Sequence, residues 1–264
     1  MGYKIPTILF SSAILAVAFF LANDEQAQST TSEEGTTATV ELTSATSETE
    51  EMSSGDAIEE EMIEKVIEEE QEITDILLDV PLLNQMDSPR LYNGCEVTSL
   101  AMILQYNGLD VTKNQLAEEV VRTPLNYKNG EYGNPNIGFV GNMEDGPGLG
   151  VYQGPIYDLA QNYSDNVINL TNQPFSTLLD QVAEGYPVWI ITTSTFSPVD
   201  EFETWQTPQG EVDITYKMHS VVITGFDSDS IYINNPYGEK NQKLDRETFI
   251  QAWEQMGSQA IVVL

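Results

Sequence analysis

Among the 264 residues there is one cysteine, Cys95, and one histidine, His219. A thiol and an imidazole together can supply a nucleophile and its proton acceptor near neutral pH. Both residues fall where an element is expected to start. Cys95 follows the turn signal Asn93-Gly94, and after it Val97, Leu100, Ala101 and Leu104 recur at helical spacing. A helix start offers unpaired backbone N–H groups and the positive end of the dipole, which favour thiolate over thiol. Glu96 works the other way if it turns toward the sulfur, because a neighbouring carboxylate raises a thiol pKa. A lone cysteine is also often only a small buried hydrophobe.

His219 opens the strand-like run Ser220-Val221-Val222-Ile223-Thr224-Gly225-Phe226. An imidazole used as a base needs a third group on its other ring nitrogen. Asn235 is the candidate, at the end of Ile231-Tyr232-Ile233-Asn234 and before Pro236. Two antiparallel strands joined at Asp227-Ser228-Asp229 bring His219 and Asn235 to the same end. Period-two alternation groups Asn235 with Ile231 and Ile233 on a buried face. Asn-Pro is also a common turn initiator, and that plainer reading stays open. Gln85 precedes Cys95 in Leu82-Leu83-Asn84-Gln85-Met86. Its side-chain amide could join the Cys95 backbone N–H in holding an oxyanion, with Asn84 as the rival.

The elements that must position these groups follow from periodicity. The expected order is a short β segment at Leu77 to Leu83, then a helix from Cys95 to about Asn107, stopped by Gly108. Thr112 caps a second helix through Val121. Residues 122–151 hold seven glycines (130, 133, 138, 141, 146, 148 and 150) and are expected to be a long loop. Helices at about Tyr152 to Asn162 and Phe175 to Glu184 come next, then strands at Pro187 to Thr193, 211–226 and 230–235. Asp245 caps a last helix ended by Gly257, and Ala260 to Leu264 is a final strand. Helices first and antiparallel strands later predict an α+β class.

Charge divides the chain unevenly. The net charge is −32; residues 23–75 carry 18 Asp or Glu and one Lys, while residues 76–264 carry 24 acids and eight bases. Residues 1–22 contain Lys4 and an apolar run from Ile5 to Ala22, which predicts a secretory signal or a retained membrane anchor. Residues 23–75 are Ser-, Thr- and Glu-rich and are expected to be a disordered, extended linker. Residues 76–264 are the globular domain. Nothing basic is concentrated enough to neutralise phosphates, which excludes nucleic acid as a partner. One Cys and one His exclude the usual zinc sites and any intrachain disulfide, and no cofactor is expected. Nothing calls for an oligomer, so a monomer is assumed.

The segments Val80 to Gln85, Asn93 to Met102 and His219 to Asp227, followed by Asn235-Pro236-Tyr237-Gly238, resemble papain-like cysteine peptidases. The closer likeness is to the stand-alone exported relatives of the bacteriocin-processing (double-glycine leader) peptidases, over about residues 78–264. The resemblance implies a papain-like α+β fold with the nucleophile on a helix start and a C-terminal antiparallel sheet. It implies Cys95 as nucleophile, His219 as general base and acid, Asn235 as orienter and Gln85 as oxyanion donor. The leader peptidases usually carry Asp where this chain has Asn235, whereas papain-type enzymes carry Asn. The expected activity is peptide-bond hydrolysis by a secreted or cell-surface-anchored bacterial enzyme, with a peptide or protein substrate. A peptidoglycan endopeptidase or amidase of the NlpC type, and a binding module without turnover, are the alternatives.

Overall fold

The computed structural model describes residues 75–264. The expected signal or anchor at 1–22 and the acidic linker at 23–75, but for Asp75, lie outside them. Among the described residues no helix is long and apolar enough to cross a membrane.

In chain order the first half holds β1 (Ile76–Leu77), α1 (Cys95–Tyr106), α2 (Lys113–Glu119), β2 (Arg122–Thr123), β3 (Phe139–Gly141), β4 (Gly148–Gly150), α3 (Gln153–Gln161) and β5 (Val167–Asn169). The second half holds α4 (Phe175–Ala183), β6 (Val188–Thr193), β7 (Glu203–Thr207), β8 (Gly210–Ile214), β9 (Met218–Phe226), β10 (Ser230–Asn235), β11 (Glu239–Asp245), α5 (Arg246–Gln255) and β12 (Ala260–Val263). The main sheet runs β11-β10-β9-β6-β12-β5, and β1 pairs with the far end of β9. Every pairing in it is antiparallel.

Strands β6 and β9 are buried along their whole length, because helices cover both faces of the sheet. Period-two alternation assigns the residues. Trp189, Ile191 and Val222 join the core around α1, with Val97, Leu100 and Leu104. Val188, Ile190, Val221 and Ile223 join the core under α4 and α5, with Phe175, Leu178, Phe249 and Trp253. Helix α1 is buried from Cys95 through Leu104. Its apolar residues face inward all round, as a central helix requires. Truncating one of these, Leu100→Ala for example, is expected to cost about 2–5 kcal/mol.

Several boundaries differ from expectation for local reasons. The β segment at Leu77 to Leu83 contracts to Ile76–Leu77, because pairing with β9 ends after the Leu78 N–H meets the Thr224 carbonyl, 2.7 Å away. The single strand at 211–226 is instead two: β8, in a hairpin with β7, then a turn closed by Met218 N–H on Thr215 O (3.2 Å), then β9. Residues 122–151 are not one loop. They contain the three-stranded sheet β2-β3-β4, tied by Arg122 bonding both oxygens of Glu144 at 3.1 and 2.7 Å. Val140, Leu149 and Trp205 give that sheet a small core of its own, which periodicity over three-residue strands does not reveal.

Candidate active site

Cys95 is the first residue of α1, and Gly94 is its N-cap. A Cβ at Gly94 would overlap the Leu91 side chain, so glycine lets the chain turn tightly into the helix. The first helical bond is Thr98 N–H to Gly94 O at 3.0 Å, which leaves the N–H groups of the turn before it without a helical carbonyl. The loop ahead of Cys95 is held from two sides. Asn93 Nδ2 donates to the carbonyls of Asn142 (2.7 Å) and Gly146 (3.0 Å) in the Gly-rich region. Gln85 Nε2 donates to those of Leu91 (3.2 Å) and Tyr92 (2.9 Å).

Gln85 is therefore beside the loop ahead of Cys95, fully buried, with both amide hydrogens engaged on that loop. Its Oε1 is buried without a partner. Asn84, the rival, is engaged locally: its Oδ1 accepts the Met86 N–H at 2.8 Å.

His219 is the second residue of β9, and its neighbour Ser220 accepts a bond from Ser99 Oγ of α1 at 3.2 Å, which seats the Cys95 helix on this part of the strand. The imidazole is 2% exposed. Its Nε2 lies 3.0 Å from Asn235 Oδ1 across the β9–β10 pair. Asn235 Nδ2 donates to Gln242 Oε1 (3.0 Å), and Asn235 Oδ1 also accepts the Tyr237 N–H (3.1 Å). With its amide nitrogen and oxygen assigned in this way, Asn235 presents an acceptor to Nε2. The proton of a neutral imidazole then sits on Nε2, and Nδ1 keeps its lone pair. Among the described residues Nδ1 makes no hydrogen bond. The Tyr237 ring stacks on the imidazole at 5.0 Å between centroids, and Phe196 lies at 6.1 Å. Burial pushes the His219 pKa down to about 4, against the Asn235 bond, which raises it.

The thiol's environment is the main departure from the sequence expectation. Cys95 Sγ is 3.4 Å from Glu96 Oε2, and the Glu96 side chain is wholly buried beneath it. Glu96 Oε1 accepts the Val151 N–H at 2.9 Å, and its backbone carbonyl accepts Trp189 Nε1–H at 3.0 Å. Burial, and then the Glu96 charge, push the Cys95 thiol well above its ordinary pKa, while the Ser220 backbone pulls it down. Burial raises Glu96 itself to about 7, opposed by the Val151 bond. The helix start alone favours thiolate; desolvation and Glu96 outweigh it here.

Tyr237 and Tyr92 remain more than half exposed and flank this region. Burial, then the proximity of Cys95, raises the Tyr237 phenol. A cavity of 490 Å³, lined by Tyr152, Phe202, Asp213 and Gln259 among others, opens at the same end of the sheet, reached from β9 across β6 and β12. Among the described residues no cluster of His, Cys, Asp or Glu could hold a metal ion.

A model of the Peptidase_C39 like family matches residues 77–261. This chain belongs to the peptidase C39-like family. It is 58% identical over 187 residues to the uncharacterized protein YvpB of Bacillus subtilis (strain 168), a match covering 70% of this chain and 75% of that one. It is also similar to the crystal structure of a chain from Bacillus anthracis described as a C39-like peptidase, with 46% identity, a TM-score of 0.69, and coverage of 72% of this chain and 97% of the other. The C39-like chain is thus a papain-like α+β protein, as its residues suggest. Sequence alone did not find Gln242, which holds Asn235, and nothing in its spacing marks it. Tyr237 had a signal, standing two residues after Asn235 in the quoted Asn235-Pro236-Tyr237-Gly238. Glu96 was visible, but its direction was not.

Proposed function

We propose that this C39-like chain is an exported cysteine peptidase that hydrolyses peptide bonds through Cys95, His219 and Asn235. The observation that carries the reading is the 3.0 Å contact between Asn235 Oδ1 and His219 Nε2, with Asn235 itself oriented by Gln242. That bond places the proton of the neutral imidazole on Nε2 and leaves the Nδ1 lone pair free to accept one, while burial keeps the ring neutral. In the first step the Cys95 sulfur attacks the carbonyl carbon and its proton passes to Nδ1. The C–N bond then breaks, and the imidazolium returns the proton to the leaving amine. Water, deprotonated by His219, displaces the sulfur and releases the acid. The Cys95 N–H is the first oxyanion donor. Gln85 becomes the second once one of its hydrogens leaves a loop carbonyl for the oxyanion. The preponderance of acids in the domain favours neutral or basic substrates. Export rests on the apolar run Ile5 to Ala22, whether cleaved or kept as an anchor.

The test is turnover of a mixed peptide library and of peptidoglycan stem fragments by the full chain, beside Cys95→Ala and His219→Ala. The reading expects cleavage of polypeptides that both substitutions abolish with the fold intact by circular dichroism. Cleavage confined to wall fragments selects the NlpC-type alternative. One observation favours a binding module without turnover: the thiol is bonded to a buried carboxyl and held as a thiol. Absence of turnover on either substrate class, with both variants binding peptide like the parent, selects that reading.

A further inference from the structure

Cys95 and Glu96 are adjacent in sequence, yet both side chains meet below the helix start, and a third element closes the arrangement. The Glu96 carboxyl is fully buried, with Oε2 3.4 Å from Cys95 Sγ and Oε1 2.9 Å from the Val151 nitrogen. Gly150, at φ +139°, leaves the room: a Cβ there would strike Glu96 Oε1 and the Met218 side chain. Among the described residues no Lys or Arg reaches the carboxyl. The Val151 N–H needs an acceptor, which a neutral amide would supply without the desolvation cost of an acid, so that bond alone does not account for a carboxyl here.

We propose that Glu96 is a positioning residue that holds the Cys95 thiol and shares one proton with it, so that the Glu96 carboxyl, pinned by the β4 end of the Gly-rich region, sets how much thiolate exists at each pH. The proposal rests on Cys95 being the nucleophile. Two arrangements carry the same charge: thiol with carboxylate, and thiolate with carboxylic acid. Passing between them breaks S–H and forms O–H at Oε2, with no proton gained or lost. The Val151 N–H bonds Oε1 in both, so the geometry persists while the proton moves.

The groups facing this pair are few. From α1 there is Cys95 itself, from β9 the His219 imidazole, neutral above about pH 4, and from the turn after β10 the Tyr237 phenol, raised by burial and by Cys95. None of these changes charge between pH 5.5 and pH 9, so in that window the pair titrates alone. Below the Glu96 pKa of about 7, thiolate grows with pH in the usual way. Above it, losing one proton gives either arrangement, and their ratio does not depend on pH. The thiolate population then stops rising until the second proton leaves.

The experiment is the rate of Cys95 alkylation by iodoacetamide between pH 5.5 and pH 9 in the full chain, beside Glu96→Gln and His219→Ala. Expected for the parent is a rate that climbs to about pH 7 and then flattens. Glu96→Gln, which keeps an acceptor for Val151 and offers a fixed donor to the sulfur, continues to climb. It exceeds the parent by about tenfold for each pH unit beyond the bend, and meets it below pH 6. Superimposable profiles for the parent and Glu96→Gln overturn the proposal. The parent's own alkylation profile supplies a second readout without any variant: a rate that keeps climbing about tenfold per pH unit up to pH 9 overturns the shared proton. Peptide turnover fails or succeeds independently. If the bend is present and no peptide is cleaved, the catalytic reading falls and the shared proton stands.

Discussion

Asn235→Asp places a charge where this chain has an amide. Asn235 Oδ1 is 3.0 Å from His219 Nε2. At that separation, with an effective dielectric of about 20, a carboxylate attracts an imidazolium by about 5 kcal/mol. Burying the new carboxylate and losing the bond to Gln242 consume part of this. What remains is a rise of about 1–3 pKa units for the imidazole. Starting from about 4, His219 is expected to titrate at roughly 5–7 in the variant. The chain has a single histidine, so one imidazole resonance followed by NMR against pH reads the shift without assignment. The same variant is expected to alkylate faster at Cys95 near pH 6, because an imidazolium then stabilises the thiolate. A His219 pKa within about half a unit of the parent would refute the argument. It would mean that Asn235 does not face Nε2, or that the carboxyl takes up a proton itself.

Four further outcomes follow from the same geometry. His219 is depressed from 6.5 to about 4, so the unfolded chain takes up its proton first. The stability from the neutral buried imidazole is complete above pH 6.5 and is lost as pH falls toward 4, on the order of 3 kcal/mol by denaturant melts. Glu96 has the opposite sign: raised from 4.5 to about 7, it is stabilising when protonated, and that contribution is lost as pH rises from 4.5 to 7. Glu96→Gln is therefore expected to be more stable than the parent at pH 8, and by less at pH 4.5, in the same melts. Gly150→Ala combines a left-handed φ of +139° with overlap on Glu96 and Met218, and is expected to lose about 2 kcal/mol or more of stability. Trp189→Phe removes the Nε1–H bond to the Glu96 carbonyl and is expected to cost about 1–3 kcal/mol, with the bend in the alkylation profile retained.

Much of this protein can be read from local rules. The α+β class, the helix beginning at Cys95, the Thr112 cap and the strands bearing His219 and Asn235 follow from turn residues and periodicity. These signals are local and survive in a single sequence. The pairing of His219 with Asn235 also follows, since a tight turn between two strands fixes which ends meet. What sequence could not decide were the contacts made across long separations. The Gly-rich region folds into three short strands because Val140 and Leu149 pack with Trp205, more than fifty residues away in the chain. Gln85 spends its hydrogens on the loop before Cys95, a matter of where two carbonyls fall. The direction of Glu96 is the sharpest case. Its sequence position fits an ordinary helix-start acid; the fold instead closes Val151 and Gly150 over it and turns it to the sulfur. Residue types and spacing are enough to propose a nucleophile and a base. The protonation states of those groups depend on burial and on neighbours from distant segments, which exist only once the chain has folded.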